Sequence, residues 1–312
     1  MSSSLLPWVA LGGAIIVLLL IDLLLVGRRG AMSLRAAAVA SAVWIALALG
    51  FGAVLWFTRD ADDAQLFLSG YLVEKSLSLD NVFVFLLVFA AFAVPVAERH
   101  RLLTYGIIGA LVLRLVMILV GAALLERFSW IAFIFAAFLI WTGWKMWTHR
   151  STHGSEEALV RRLRGRFSLA EATRPHQLVG RVDGRRALTL GGAALVAIAV
   201  VDVVFAVDSV PAILAITDDT YLVFAANAFA LLGLRPLFFL VADLVQRLRH
   251  LKAALAALLV FIGAKMAYGE IWGKVSPGVS LAVIALILTT GVVASLLDRR
   301  PTHSGDHEGS VA

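Results

Sequence analysis

Hydrophobic residues fall along this chain in nine long runs, separated by short segments that hold most of the charged and turn-forming residues. A helix needs about 20 mainly apolar residues to cross the hydrocarbon core of a bilayer, and each run is at least that long. The pattern predicts an all-α polytopic membrane protein with about nine transmembrane helices, in one integral membrane domain covering residues 1–312. The predicted spans are residues 5–27, 36–57, 65–94, 103–124, 128–148, 187–216, 220–245, 251–272 and 277–297.

The composition agrees with a membrane protein and leaves no room for a large soluble domain. Of the 312 residues, 61% are hydrophobic and 15% are charged, and the mean hydropathy is +0.92. Soluble domains are typically about 45–50% apolar and about 25% charged. The chain has no cysteine, so disulfides and thiolate chemistry are excluded.

Positive charge alternates between successive loops. Segments 28–35, 98–101, 149–187, 247–252 and 298–312 hold most of the 27 Lys and Arg residues. Because Lys and Arg accumulate on the cytoplasmic side, this alternation predicts the cytoplasmic (inner) membrane, with the N-terminus outside and the C-terminus in the cytoplasm. The bilayer accounts for the net charge of +6, and no nucleic-acid partner is expected.

The cytoplasmic loop 149–187 is the longest polar segment. Residues 155–167 can form a basic amphipathic helix on the membrane surface, and Asp183-Gly184 is a turn signal for a small hairpin. A loop that sets topology is favoured over a regulatory element. The cytoplasmic tail is residues 298–312.

Two stretches of the chain, 65–148 and 187–272, carry similar polar residues in the same order. The matched pairs are Glu74 with Asp202, Asp80 with Asp208, Asn81 with Ser209, Arg114 with Arg235, and Lys145 with Lys265. Since three spans separate the two stretches, the second crosses the membrane in the opposite direction. This predicts an inverted repeat of three plus three helices, an arrangement of many secondary transporters with a site near the midplane. In this alignment Lys75 is matched with Val203, so it has no counterpart in the second stretch and is interpreted as a salt-bridging or snorkelling residue.

Four carboxylates, those of Glu74, Asp80, Asp202 and Asp208, fall far from any predicted membrane interface. A charge at the bilayer centre costs at least about 2.5–3.5 kcal/mol, so such residues are functional candidates. Clustered carboxylates repel one another, and a bound cation or a proton relieves that repulsion. The alternative is structural: the bases Arg114, Lys145, Arg235 and Lys265 neutralise the carboxylates and hold helices together. The same four bases could also gate or balance the charge of a transport site.

The available ligand atoms favour a hard divalent cation. All seven histidines fall in predicted cytoplasmic loops or the tail, so the spans offer carboxylate, amide and hydroxyl oxygens, which suit Mg²⁺, Ca²⁺ and Mn²⁺. No permanently bound cofactor is expected, and Mn²⁺ or Ca²⁺ is the expected transported ion. The predicted metal ligands are Asp80, Asn81, Asp208, Ser209, Glu74 and Asp202, with Asp22, Ser78 and Asn227 as accessory candidates. Asp22 could instead simply pair with Arg28.

Helix geometry limits how these ligands combine. Glu74 and Asp80 are six residues apart, which places them about 120° and about 9 Å apart on a regular helix. Either the spans unwind between the carboxylates, or Asp80 pairs with Asp208 across the repeat axis. The second arrangement is preferred, with Glu74 as an outer gate and Asp202 as an inner gate.

The motifs EKSLSLDNVFVF, DVVFAVDSVPAI and ALLGLRPLFFL resemble the TerC (tellurium-resistance C) family, and IDLLLVGRRGAMSLRAA resembles its Alx-type subgroup. The resemblance covers roughly residues 15 to 295. It implies Mn²⁺ efflux, with exchange against protons, in metal homeostasis. It also implies a functional acidic role for Glu74, Asp80, Asp202 and Asp208. Ala199 stands where relatives often have a Glu.

Two other functions remain open on the sequence. Tellurite or another oxyanion could be handled by the four intramembrane bases, or the chain could be a scaffold or sensor that acts through 149–187. An enzyme is not expected, because no span presents a nucleophile–base pair, a zinc-hydrolase motif or a P-loop. The oligomeric state is left open.

Overall fold

The structure is a computed structural model in which helices account for most of the described residues. It describes residues 5–26, 33–128, 130–148, 160–165, 169–170, 177–182, 185–244, 250–273 and 275–297. The helices are α1 (Leu5–Val26), α2 (Leu34–Thr58), α3 (Ala61–Ala91), α4 (Val96–Arg127), α5 (Ile131–Thr148), α6 (Leu190–Leu214), α7 (Thr220–Leu232), α8 (Leu234–Leu244), α9 (Leu251–Trp272) and α10 (Pro277–Leu297). The strands are β1 (Leu169–Ala170), β2 (Val179–Val182) and β3 (Arg185–Thr189).

The prediction of a mostly helical, multi-pass membrane protein is confirmed. Among the described residues, seven helices are long and apolar enough to cross a membrane, or up to eight if the bent pair α7–α8 counts as one span. The remaining predicted span is α3, which is 31 residues long but carries Glu74, Lys75 and Asp80 near its centre. The total of nine spans stays a prediction.

The predicted span 220–245 is two helices instead of one. α7 and α8 are bent by 41° at Gly233. Pro236 has no N–H to donate to the carbonyl of Leu232, and Gly233 is a weak helix former. The sequence of this segment therefore dictates the break.

The helix α3 lies at the centre of the bundle, where it contacts α2, α6, α7, α8 and α10. α4 packs against α6 and α7, and α5 packs along α9 in the largest helix–helix interface. Phe67, Phe85 and Phe89 of α3 are fully buried in the main apolar core. The helices in contact with α3 therefore enclose its polar residues, such as Glu74 and Asn81, inside the bundle.

The interface between α5 and α9 depends on two glycines. A Cβ atom on Gly143 would lie 2.7 Å from the carbonyl oxygen of Ala256, and one on Gly263 would lie 2.8 Å from that of Ala136. Both distances are too short for a real contact, so each glycine allows one backbone to approach the other. Gly143 and Gly263 each stand two residues before the lysine that the sequence alignment matches.

A small sheet lies at the start of α6. β2 and β3 form an antiparallel hairpin in which Val182 pairs with Arg185, and β1 is parallel to β3. The predicted hairpin is confirmed, although its turn, 183–184, lies outside the described residues. β3 continues to Thr189, whose hydroxyl caps α6 by accepting from the Gly192 N–H at 3.2 Å, so the helix begins later than the predicted 187.

Only part of the predicted amphipathic helix is described. Residues 160–165 are helical, with Val160 buried in the main apolar core and Arg161, Arg162 and Arg164 exposed. The apolar side of this segment therefore faces the protein. The tail 298–312 lies outside the described residues.

We expect Gly143→Ala and Gly263→Ala to destabilise the protein to a similar extent, by about 1–3 kcal/mol each, because a methyl group must push α5 and α9 apart. The measurement is thermal unfolding of purified protein in detergent. Gly109→Ala is the matched control, since a Cβ on Gly109 of α4 meets nothing within 4 Å. Equal midpoints for all three variants would contradict this account.

Candidate functional site

A buried arginine joins four helices at the centre of the bundle. Arg114 of α4 forms an ion pair with Glu74 of α3, and its Nη2 lies 3.9 Å from Oδ1 of Asp202 in α6. Its Nη1 donates a hydrogen bond of 2.8 Å to Oδ1 of Asn227 in α7. The exposed fractions of the four residues are 2% or less, so water does not screen these charges. We call these four residues the Arg114 cluster.

The Arg114 cluster corrects the expectation of separate gates. Glu74 is expected to serve as an outer gate and Asp202 as an inner gate, but both lie near the middle of their helices and both approach the same guanidinium. The two carboxylates that the sequence alignment matches therefore converge on one point. Asn227, an accessory candidate in the sequence, belongs to the same point.

Further polar residues continue the buried face of α3 and α6. Ser78 and Asn81 follow Glu74 at four and seven residues, and Ser209 follows Asp202 at seven, spacings that place each set on one helix face. All three are buried. Ser78 Oγ, Asn81 Nδ2 and Ser209 Oγ make no hydrogen bond to another described protein group. Buried polar atoms of this kind normally bind water or an ion.

The placement of the two remaining acids is described only for the backbone. Asp80 and Asp208 lie within the helices α3 and α6, which are continuous, even though Pro211 lies in α6. Their side chains lie outside the described part of the structure, so their role as ligands stays a prediction. Within the described side chains, no group of three or more His, Asp or Glu residues could hold a metal ion.

The second intramembrane arginine has different partners. Arg235, fully buried in the first turn of α8, donates to Oδ2 of Asp22 at 2.6 Å, and its Nη2 lies 2.7 Å from Nδ1 of His100. Asp22 thus contacts Arg235, whereas Arg28 lies outside the described residues. The expectation that every histidine lies in a loop or tail is wrong for His100, because α4 begins at Val96 instead of 103.

The comparison with known sequences now decides the family. The family model described as integral membrane protein TerC family matches residues 59–303. The chain belongs to the TerC family. The resemblance inferred from the motifs is therefore confirmed.

Relatives in the TerC family match over nearly the whole chain. One is the uncharacterized membrane protein STKORF319 of Myxococcus xanthus, 40% identical over 304 residues, which cover 96% of this chain and 95% of the relative. Another is the putative membrane-bound redox modulator Alx of Escherichia coli (strain K12), 43% identical over 293 residues, which cover 90% of this chain and 91% of that protein. No solved structure matches the chain.

The two lysines that the sequence alignment matches, Lys145 and Lys265, lie in different surroundings from the two arginines. Lys145 is exposed in the last turn of α5, with its Nζ 5.1 Å from the ring centroid of Trp141. Lys265 of α9 lines a cavity of about 450 Å³ together with Asp218 and Glu270. The four bases therefore divide into two buried arginines paired with carboxylates, one exposed lysine and one lysine that lines a cavity.

Sequence reasoning gave Lys75 too small a role. Its Nζ donates a hydrogen bond of 3.3 Å to the carbonyl of Ala230, in the last turn of α7. A Cβ on Gly233 would lie 2.6 Å from the same Nζ. Lys75 thus caps the C-terminal end of α7, where the helix breaks. Two features of the sequence could have indicated this role: a lysine within an apolar run, and the Gly-Leu-Arg-Pro segment that follows α7.

A partly exposed arginine, Arg59, connects the end of α2 to the starts of α3 and α7. Arg59 forms ion pairs with Asp63 at 2.9 Å and with Asp219 at 2.8 Å, and Asp219 caps α7 through the N–H groups of Tyr221 and Leu222. Burial alone would lower the pKa of the Arg59 guanidinium, but its hydrogen bonds to the two carboxylates outweigh burial and raise that pKa.

We expect Asp22→Asn to cost about 3–5 kcal/mol of unfolding free energy, because it leaves the charge of Arg235 buried without its ion pair. Arg59→Gln, which removes half-exposed ion pairs, should cost less than about 1 kcal/mol. Denaturant unfolding in detergent micelles measures both. In the double variant Asp22→Asn with Arg235→Gln, part of the loss should be recovered. Strictly additive losses would show that the pair contributes nothing.

Proposed function

We propose that this protein is a secondary transporter that exports a hard divalent cation, with Mn²⁺ as the favoured substrate, in exchange for protons. The observation that carries the proposal is the convergence of Glu74 and Asp202 at the centre of the bundle, on helices long enough to cross the membrane. Buried intramembrane carboxylates typically mark ion pathways and proton relays. Both a cation and a proton can neutralise them, so the same groups can serve two coupled ions.

The architecture favours nine spans with an inverted repeat. If α3, α4 and α5 correspond to α6, α7–α8 and α9, then the contact of α3 with α7 corresponds to that of α4 with α6, and both are present. The contact of Gly143 with Ala256 likewise corresponds to that of Gly263 with Ala136. Reciprocal contacts of this kind are what a two-fold axis produces. A site on that axis can be reached from either face in turn.

The chemistry of the buried residues favours a hard cation over an oxyanion. Serine, asparagine and carboxylate oxygens line the faces of α3 and α6, and Asp80 and Asp208 add to the same helices. An oxyanion would need free cationic groups, but Arg114 contacts Glu74 and Asp202. Arg235 contacts Asp22 in the same way.

The relatives named redox modulators suggest how transport could matter to a cell. This chain has no cysteine, so thiol chemistry of its own cannot supply such a role. Control of the cellular level of a transition metal such as Mn²⁺ would supply one. The broken pair α7–α8 adds the discontinuous helix that many transporters use near their sites.

The proposal predicts that Asp80→Asn and Asp208→Asn each reduce Mn²⁺ flux at least about tenfold, since each removes a charge that the cation needs. The measurement is uptake of Mn²⁺, Ca²⁺ and Mg²⁺ by proteoliposomes, with and without a pH gradient. Gly109→Ala should transport at the rate of the unchanged protein. Flux that persists in both carboxylate variants would overturn the proposed site, and flux that ignores the pH gradient would overturn proton exchange.

The proposed orientation can be tested directly, because the chain has no cysteine to remove. Ser276→Cys, between α9 and α10, should react with a membrane-impermeant maleimide on intact cells. Ser33→Cys, at the start of α2, should react only after the membrane is opened. Both positions are exposed at helix ends. The opposite labelling pattern would reverse the predicted topology.

A further inference from the structure

The Arg114 guanidinium occupies the position where a cation would neutralise the two matched carboxylates. It pairs with Glu74 and lies 3.9 Å from Asp202, while Asn227 accepts a hydrogen bond from the same side chain. Together these described groups carry two negative charges and one positive charge. A guanidinium is always protonated in proteins, so this positive charge cannot leave by losing a proton. It can leave the carboxylates only if the side chain moves.

We propose that Arg114 is a tethered counter-cation: it neutralises Glu74 and Asp202 when no transported ion is bound, and an incoming divalent cation must displace it. This inference rests on the proposed function, because it requires a cation that binds these carboxylates. It adds a role for Arg114 in setting the affinity and the charge selectivity of the site.

The contacts of Arg114 are unequal, which gives the displacement an order. The distance of 3.9 Å between Arg114 Nη2 and Asp202 Oδ1 is too long for a hydrogen bond. The contact with Glu74 is much closer. Asp202 is therefore the carboxylate that a cation engages first, and Glu74 follows when the guanidinium moves away.

Asn227 provides a neutral anchor for the displaced side chain. Its Oδ1 accepts from Nη1 of Arg114 at 2.8 Å, while Nε and Nη2 of the arginine make no hydrogen bond to a described group. An arginine presents several donors in a fixed fork, so it can keep the bond to Asn227 while it gives up a carboxylate. The anchor lies on α7, so displacement of Arg114 would couple the carboxylates to the broken helix pair.

The single positive charge of Arg114 would also let the site select divalent over monovalent cations. A monovalent ion that replaces the guanidinium leaves the two carboxylates no better neutralised than before. A divalent ion brings one more positive charge and neutralises both. The competition also keeps divalent binding weak enough for the ion to leave, which transport requires.

Arg235 offers a matched control because, among the described residues, it is the other buried arginine within the helices. Its contacts are Asp22 and His100 instead of the matched carboxylates. Removing either arginine takes one buried positive charge from the bundle. Only removal of Arg114 takes that charge from Glu74 and Asp202.

The test measures Mn²⁺ binding through thermal unfolding of the purified full chain in lipid nanodiscs, with Ca²⁺, Mg²⁺ and Na⁺ as further probes. A ligand that binds only the folded state stabilises it by RT ln(1 + [L]/Kd), so the unfolding midpoint rises with the logarithm of the affinity. We expect Arg114→Gln to unfold at a lower temperature without metal, and to bind Mn²⁺ about tenfold more tightly than the unchanged protein. Its maximal Mn²⁺ flux in proteoliposomes should fall severalfold, because release becomes slow. Discrimination against Na⁺ should also decrease.

Two variants keep the test decisive. Arg114→Lys retains the charge but loses the fork, so it should fold and bind Mn²⁺ severalfold more tightly, which tests the proposal even where Arg114→Gln does not fold. Arg235→Gln should lower the unfolding midpoint without changing the Mn²⁺ affinity.

The possible failures can be told apart. If Glu74→Gln weakens Mn²⁺ binding but neither Arg114 variant strengthens it, the arginine is only structural and the counter-cation proposal is overturned. If Arg235→Gln strengthens binding as much as Arg114→Gln, the effect is one of overall charge and the proposal is also overturned. If the unchanged protein binds none of the divalent probes and Glu74→Gln alters nothing, the proposed transport function itself fails.

Discussion

The fold depends on the need to neutralise buried carboxylates where water cannot reach them. Glu74 and Asp202 come from different helices, and each would cost several kcal/mol at the bilayer centre without a counter-charge. Arg114 meets both and also bonds to Asn227, so one guanidinium fixes the register of α3, α4, α6 and α7. Losing the arginine would leave two unpaired charges. Arg114 therefore has a structural role, beside the functional role that we propose for it.

Two parts of the bundle are held by different kinds of contact: α5 and α9 by close backbone packing, and the break between α7 and α8 by polar side chains. α5 and α9 approach so closely at Gly143 and Gly263 that neither can shift without the other. The break at Gly233 is held by polar groups instead, through Lys75 on one side and Arg235 on the other. Polar contacts of this kind can be exchanged for others, whereas a close-packed backbone interface cannot. The broken pair α7–α8 is thus the natural place for a conformational change.

The sequence predicted individual elements better than the contacts between them. The apolar run 251–272 matches α9, and the Asp-Gly turn correctly indicated the hairpin of β2 and β3. The apolar run 220–245 is continuous in hydropathy, so it did not indicate the break at Gly233, although Pro236 did. The first turns of α4 are charged, so hydropathy placed them, and His100 with them, in a loop. Helical spacing relates residues within one helix only. It therefore could not reveal that Glu74 and Asp202 approach the same arginine, or that Asp22 contacts Arg235, 213 residues away.

The two halves of the chain match in sequence but differ in structure, and the difference has a physical source. α4 runs unbroken past Arg114, whereas α7 and α8 break just before Arg235. Arg235 pairs with a carboxylate of α1, which lies outside the predicted repeat, so its charge is neutralised without the matched acids. Identical halves would open the site equally to both faces or to neither. By pairing with Arg235, Asp22 leaves Arg114 as the described arginine at the matched carboxylates Glu74 and Asp202. The resulting difference between the halves is the kind of asymmetry that the proposed transport, with access from one face at a time, would require.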